Sequence, residues 1–150
     1  IMSVLSAGVH GPYKGYDKDF ELHKTYSIKN AADAAGYYTD AGFESLATKF
    51  PNLTFAHAAP GFVATNWGTE MPAFLRAGVI RPMQRLFGRS SEQCGEILSK
   101  SFLELPAKGG FHLIDPDGRR IDPARGIQHT PEQRDVIWEK TLALLPDVLS

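Results

Sequence analysis

Apolar and polar positions change their period several times along the 150-residue chain, and each change marks an element. Residues 1–6 (IMSVLS) are a near-continuous apolar run closing on Ser-Ala-Gly, the pattern of a central parallel strand, buried on both faces, that feeds a turn. Residues 10–24 are polar, charged and glycine-bearing, which predicts a loop with a short turn over 19–22. From Ser27 the chain turns alanine-rich and helical. Phe43, Leu46, Ala47 and Phe50 recur at i, i+3, i+4 and i+7, and Pro51 ends the run. Ala31, Ala34 and Ala35 form a second face of small side chains that lets another helix approach closely. Leu53, Phe55 and His57 then alternate with Thr54, Ala56 and Ala58, a strand. Pro60 cannot donate to a sheet ladder and Gly61 permits a tight backbone path, so that strand stops there.

Residues 70–87 are helical in character but interrupted by Pro72, Gly78 and Pro82, which predicts two short pieces. Ser90 and Gln93 fit a capping box. Cys94, Ile97, Leu98, Phe102 and Leu105 line one face of the helix that follows, and Pro106 stops it. Residues 110–114 (GFHLI) read as a last strand, 115–118 (DPDG) as the turn after it and 119–129 as loop. Thr130, Pro131 and Gln133 open a final helix, with Ile137, Thr141, Leu144, Leu145 and Val148 inward. Strand, helix, strand, helices, strand, helix is the order of an α/β fold on a parallel sheet.

Composition narrows the function classes. With 43% hydrophobic and 22% charged residues the chain is one ordinary globular domain. A net charge of −1 without a basic block excludes nucleic acid or an anionic membrane as the expected partner. No apolar run approaches the ~18 residues of a membrane span. The single cysteine, Cys94, excludes an internal disulfide and a cysteine-based zinc site, and fits a reducing, cytoplasmic compartment. No metal is expected: Asp115 and Asp117 belong to a turn, and His112 and His129 share no ligand spacing with them. His57, alternating with Phe55, reads as a hydrogen-bonded core histidine. The chain opens on Ile1 inside an apolar run, which reads as a start partway through a fold.

The segment 53–65 (LTFAHAAPGFVAT) resembles the P-G-x-V-x-T element of short-chain dehydrogenases/reductases (SDRs), which in that family follows the sixth strand and holds the nicotinamide end of NAD(P). The order of its neighbours resembles the second half of that family's domain. Residues 1–5 with Ser6 resemble the fifth strand and its catalytic serine. The helix through Phe50 resembles the one carrying the catalytic tyrosine and lysine, 70–87 the substrate lid, and 110–114 the seventh strand. The style of YSIKNAADAAGYYTD and VIWEKT is most similar to fungal SDR-like oxidoreductases of secondary metabolism. The resemblance implies the C-terminal half of a doubly wound, Rossmann-type parallel sheet, present as a fragment. The cofactor-phosphate half is absent, so a strand edge lies open where the first strands should pair.

It further implies a hydride transfer between NAD(P) and a carbonyl or alcohol of a small organic molecule. Pro60, Gly61, Val63 and Thr65 would meet the carboxamide, through backbone at Val63 and the hydroxyl at Thr65. The residues that distinguish NADH from NADPH fall outside these, with NADPH favoured. Ser6 would hydrogen-bond the substrate oxygen. The family's Y-x-x-x-K dyad is missing, because counting back from Leu46-Ala47 its positions fall on Ala32 and Gly36. Tyr26 is the candidate acid and Lys29 its cation, with Asn30 in the lysine's place and Tyr37 and Tyr38 as alternatives. Trp67 and Phe74 either cover a substrate or roof the sheet. The helix over 31–50 is the candidate surface of a homo-oligomer. The alternative reading is a non-catalytic SDR-like protein that binds a ligand or a subunit, having lost the Tyr/Lys pair.

Overall fold

Three short parallel strands organise the chain, in the spatial order β1 (Met2–Val4), β2 (Thr54–Ala58), β3 (Gly110–Ile114). The computed structural model describes residues 1–65, 72–107 and 109–145. Met2 pairs with Ala56 and Val4 with Ala58, while Thr54 pairs with Gly110 and Ala58 with Ile114. All three strands therefore end at the same edge of the sheet. The protein is α/β with a parallel sheet.

The alternation of β2 sorts the helices to two faces. Ala56 and Ala58 pack with Cys94 and Leu98 of α4 (Ser91–Leu103) and with Ile114. Phe55 and His57 point the other way, toward α1 (Ile28–Lys49), where Phe43 meets Phe55 at 5.5 Å between ring centroids. α5 (Pro131–Leu144) packs on the outside of α1 through Ile137, which sits among Tyr13, Ala34, Tyr37 and Ala41.

α4 and α5 begin at the caps the sequence predicts, and α1 begins at a cap on Ser27, where the pattern turns helical. Ser27 accepts from the Asn30 N–H, and Ser90 and Thr130 form reciprocal capping boxes with Gln93 and Gln133. These bonds satisfy donors that the first helical turn leaves without partners. The turn over 19–22 is also present, closed by Leu22 N–H to the Asp19 carbonyl at 3.0 Å.

Five expectations need correction. β1 is the strand with the expected open edge, but Ile1, Val4 and Leu5 are exposed rather than buried on both faces, because only β2 bonds to it among the described residues. The inward stripe of α1 is not confined to Phe43, Leu46 and Ala47. It runs back through Asp40, Gly36 and Asp33, spaced by three and four residues, and all three are buried. The region expected as two short pieces is one unbroken helical run: α2 (Ala73–Leu75), a wide π-turn (Arg76–Ile80) and α3 (Arg81–Phe87). A π-turn absorbs Gly78 and places Pro82 in the first turn of α3, where its missing N–H breaks nothing. Phe74 is 74% exposed, so it roofs no part of the sheet, and Trp67 lies outside the described residues.

The inward face of α5 is also shorter than the periodicity predicts. Ile137 is fully buried whereas Leu144 is 44% exposed, and Val148 lies outside the described residues. Ile137→Ala should destabilise the protein by about 2–5 kcal/mol in urea unfolding. Leu144→Ala should stay within about 0.5 kcal/mol of the parent. Equal losses at both positions would contradict this packing.

Candidate functional site

The carboxyl ends of the strands bring Ser6, Pro60 and Asp115 to one edge of the sheet, where open α/β sheets hold their ligands. Ser6 follows β1 directly, and Pro60-Gly61 follows β2, its hydrogen-bonded neighbour. Gly61 turns with φ +71°, a left-handed conformation that favours glycine, and an added Cβ would lie 3.0 Å from Pro116. The DPDG segment is a turn, as expected. Asp115 accepts from the N–H groups of Asp117 and Arg119, and Arg89 reaches both the Pro116 carbonyl and Asp117.

Beyond Gly61 the backbone pairs with Arg89. The Arg89 N–H donates to the Phe62 carbonyl at 3.0 Å, and the Ala64 N–H donates to the Arg89 carbonyl at 2.9 Å. Parallel pairing of this kind turns the N–H of the residue between, Val63, to the opposite side. Thr65 N–H returns to the Val63 carbonyl at 2.9 Å and leaves the Thr65 side chain exposed, while Gln84 of α3 donates to the Thr65 carbonyl.

Beneath Ser6 lies a cluster that pattern reading missed: His10, Asp40 and His57, with side chains at most 1% exposed. Ser6 sets the protonation of both imidazoles through its backbone. Its N–H donates to His57 Nε2 at 2.9 Å, so that nitrogen must be an acceptor and His57 Nδ1 carries the proton, which it donates to Asp40 Oδ1 at 2.5 Å. The Ser6 carbonyl can only accept, so His10 Nδ1 donates to it at 2.9 Å, with the Ser6 hydroxyl 3.4 Å away. His10 Nε2 faces Asp40 Oδ2 at 3.3 Å, near enough for an ion pair though not aligned as a hydrogen bond. The two rings stack at 5.8 Å between centroids.

Burial pulls the His10 pKa down, but the Asp40 carboxylate, the Ser6 carbonyl and the charges of Asp40 and Asp33 outweigh it and raise the pKa above its ordinary 6.5. Burial likewise opposes the charge on Asp40, and the bonds to His10 and His57 prevail, holding its carboxyl below the ordinary 3.8. The balance is a buried ion pair with a neutral histidine at its far side. His10, Asp40 and His57 are close enough together to suggest a metal site. The Ser6 N–H argues against one, because Nδ1 of a neutral His57 whose Nε2 accepts a hydrogen bond has no lone pair to offer.

Gly36 makes this arrangement possible. A Cβ there would lie 2.3 Å from His10 Cγ and 2.6 Å from Ser6 Oγ. The position that counting assigns to the family's lysine is thus filled from another direction, by the His10 ring. Ala32, the counted tyrosine position, faces solvent.

The other expected residues are not gathered at Ser6. Tyr26 precedes the cap of α1 with its side chain 74% exposed. Lys29 pairs with Asp33 one turn on, and Asp33 also accepts from the Gly11 N–H at 2.8 Å, which ties the loop after Ser6 to α1. The Lys29 hydrogen bond, ahead of the Gly11 one, holds the Asp33 carboxyl below its usual range. Tyr37 and Tyr38 are packing aromatics. Burial pushes both phenols up, away from working pH, and the Tyr38 hydroxyl donates to the Phe20 carbonyl. His57 is the hydrogen-bonded core histidine expected. A separate cavity of about 770 Å³ lies beside β3, lined by Glu44, Phe111, Arg120, His129 and Arg134 among others, and none of the cluster residues reaches it.

Two substitutions test the cluster. Asp40→Asn leaves buried His10 without its counter-charge and should cost about 3–5 kcal/mol near neutrality. A carboxyl with a lowered folded pKa stabilises above its unfolded value of 3.8, and this is lost as pH falls through the folded pKa. A histidine with a raised one stabilises fully below 6.5, and this is lost as pH rises through its folded pKa. The difference between parent and variant in urea unfolding should therefore be largest between those limits and shrink on both sides. Gly36→Ala gains about 1 kcal/mol of helix propensity but overpacks the site by about 1–3 kcal/mol, so a net loss of stability is expected.

The chain matches no protein-family model, no curated protein and no solved structure.

Proposed function

We propose that the chain is built on the plan of the second half of an SDR-type Rossmann domain and serves an NAD(P)-dependent oxidoreductase acting on a carbonyl or alcohol of a small organic molecule. The observation that carries this reading is the pairing of β1 with β2, which sets Ser6 beside Pro60-Gly61 at the carboxyl edge of a parallel sheet. The cofactor's nicotinamide end fits the residues present. Its carboxamide needs a donor and an acceptor. The Val63 N–H, turned away from Arg89, and the exposed Thr65 hydroxyl offer both, while Gly61 lets the chain bend tightly. When bound, NAD(P) supplies or accepts the hydride. Ser6 hydrogen-bonds the substrate oxygen as charge develops on it. Pro60 and Gly61 hold the turn that presents Val63. Tyr26 and Lys29, near the N-terminal end of α1, are the candidate acid and cation that the sequence offers, while the family's counted positions fall on Ala32 and Gly36. NADPH is the favoured form, and a cytoplasmic setting suits the single reduced thiol.

A second reading, a non-catalytic SDR-like protein that binds a ligand or subunit, is favoured by three features. Tyr26 is exposed, Lys29 is paired with Asp33, and glycine stands at the counted lysine position. Fluorescence titration of NADPH against the natural chain, together with NADPH oxidation over a panel of ketones, aldehydes and quinones, separates the two. The oxidoreductase reading expects saturable binding and turnover. It also expects Thr65→Val to weaken binding by about 1 kcal/mol, the worth of one neutral hydrogen bond. Binding without turnover on every compound would favour the second reading, and absence of binding would sink the oxidoreductase reading.

A further inference from the structure

We infer that His10, held by Asp40 and backed by His57, delivers the proton of the reaction through the Ser6 hydroxyl, taking the place left by the family's tyrosine–lysine pair. This rests on the oxidoreductase reading above and names the proton source of that same site. Three features carry it.

The His10 ring occupies the space that a Cβ at position 36 would enter, so the site has glycine where the family plan has lysine, with an imidazole packed against that glycine and beside the Ser6 hydroxyl. In the resting site the Ser6 carbonyl and the Asp40 carboxylate together favour a doubly protonated His10. Nδ1 must donate to the Ser6 carbonyl, and Nε2 faces a carboxylate that is already bonded to His57, so both His10 nitrogens carry protons. The charged groups around the ring all favour that state. Asp40 and Asp33 on α1 place negative charge beside it, Asp33 being itself paired with Lys29, and His57 stacks on it from β2. Finally, the Nδ1–H lies between the Ser6 carbonyl at 2.9 Å and the Ser6 hydroxyl at 3.4 Å, so the proton has a short path to Oγ.

The step balances. Hydride from reduced nicotinamide converts the substrate carbonyl to an alkoxide. The Ser6 O–H gives its proton to the alkoxide oxygen while His10 Nδ1–H gives its proton to Ser6 Oγ. His10 is left neutral, with Nε2–H toward Asp40, and Ser6 O–H now donates to Nδ1. Solvent returns one proton to His10, and alcohol oxidation runs the sequence backward. With its pKa raised above 6.5 by Asp40, the Ser6 carbonyl and Asp33, His10 enters the step as the protonated acid. Ser6 and His10 touch or feed the reacting atoms, whereas Asp40 and His57 are positioning residues.

The test joins a spectroscopic readout to a kinetic one on the natural chain. Imidazole nitrogen spectra of ¹⁵N-labelled protein, assigned by replacing each of the five histidines, report protonation without turnover. His10 should be doubly protonated at pH 7 and His57 a single Nδ1–H tautomer. Asp40→Asn should lower the His10 midpoint by about one pH unit or more. A neutral His10 at pH 7, or His57 protonated on Nε2, overturns the relay whatever the activity.

With NADPH and 9,10-phenanthrenequinone as probe, His10→Gln should lower kcat about 100-fold or more. KM should change by less than about threefold, and the alkaline limb of the pH–rate profile should vanish. His23→Gln, at an exposed histidine, controls for the substitution itself. Parent turnover that His10→Gln leaves intact while Tyr26→Phe abolishes it overturns the relay alone and returns the proton to Tyr26. No turnover by the parent overturns the oxidoreductase reading and the catalytic use of the relay with it, even where the nitrogen spectra agree.

Discussion

A carboxylate buried between a helix and a strand is the constraint on which the rest of this structure depends. Taken out of water alone, Asp40 would lose several kcal/mol of hydration and would protonate instead. It stays charged because His57 donates to one oxygen and His10 faces the other. Neither histidine is held by Asp40 alone, since the Ser6 N–H fixes the first and the Ser6 carbonyl the second. One residue at the end of β1 therefore determines how a helix more than twenty residues further along is rotated. Turning α1 by one position would uncover Asp40, and sliding it by one turn would replace Gly36 beneath Ser6 with a side chain.

The same network places the candidate chemistry. β1 and β2 are parallel neighbours, so Ser6 and the Pro60-Gly61 turn leave the sheet together, and the loop from Ser6 to Gly11 is bent back over α1 by His10 and by the bond from Gly11 to Asp33. The polar groups of the site are consequently held by secondary structure and by hydrogen bonds rather than by a free loop, the condition for precise positioning. The run from Ala73 to Phe87 is different. Its apolar side chains at Phe74, Leu86 and Phe87 are mostly exposed, with Ile80 buried and Gln84 joining it to Thr65.

No helix among the described residues is long and apolar enough to cross a membrane. The apolar surface at Ile1, Val4 and Leu5 follows the outer side of β1, where backbone donors and acceptors meet no other described strand. An open edge of this kind can accept a further strand.

The sequence by itself determined the elements whose signals are local. Caps at Ser90 and Thr130, the proline stops, the DPDG turn and the strand alternation from Thr54 to Ala58 all act within a few residues, so they could be read directly, and the α/β order followed from them. Ser6 and the Pro60–Gly61 turn were legible for the same reason, as strand ends. Only the tertiary structure decided what stands beside them. Asp33, Gly36 and Asp40 occupy the inward stripe of α1 but look like interruptions to a pattern that counts apolar residues. Tyr26 and Lys29 look paired because spacing says nothing of the direction a side chain takes. The His10–Asp40–His57 cluster draws on a loop, a helix and a strand, and its members gain their roles from hydrogen bonds spanning 17 and 51 positions. Charge burial is a property of the assembled fold, so no local pattern along the chain could announce it.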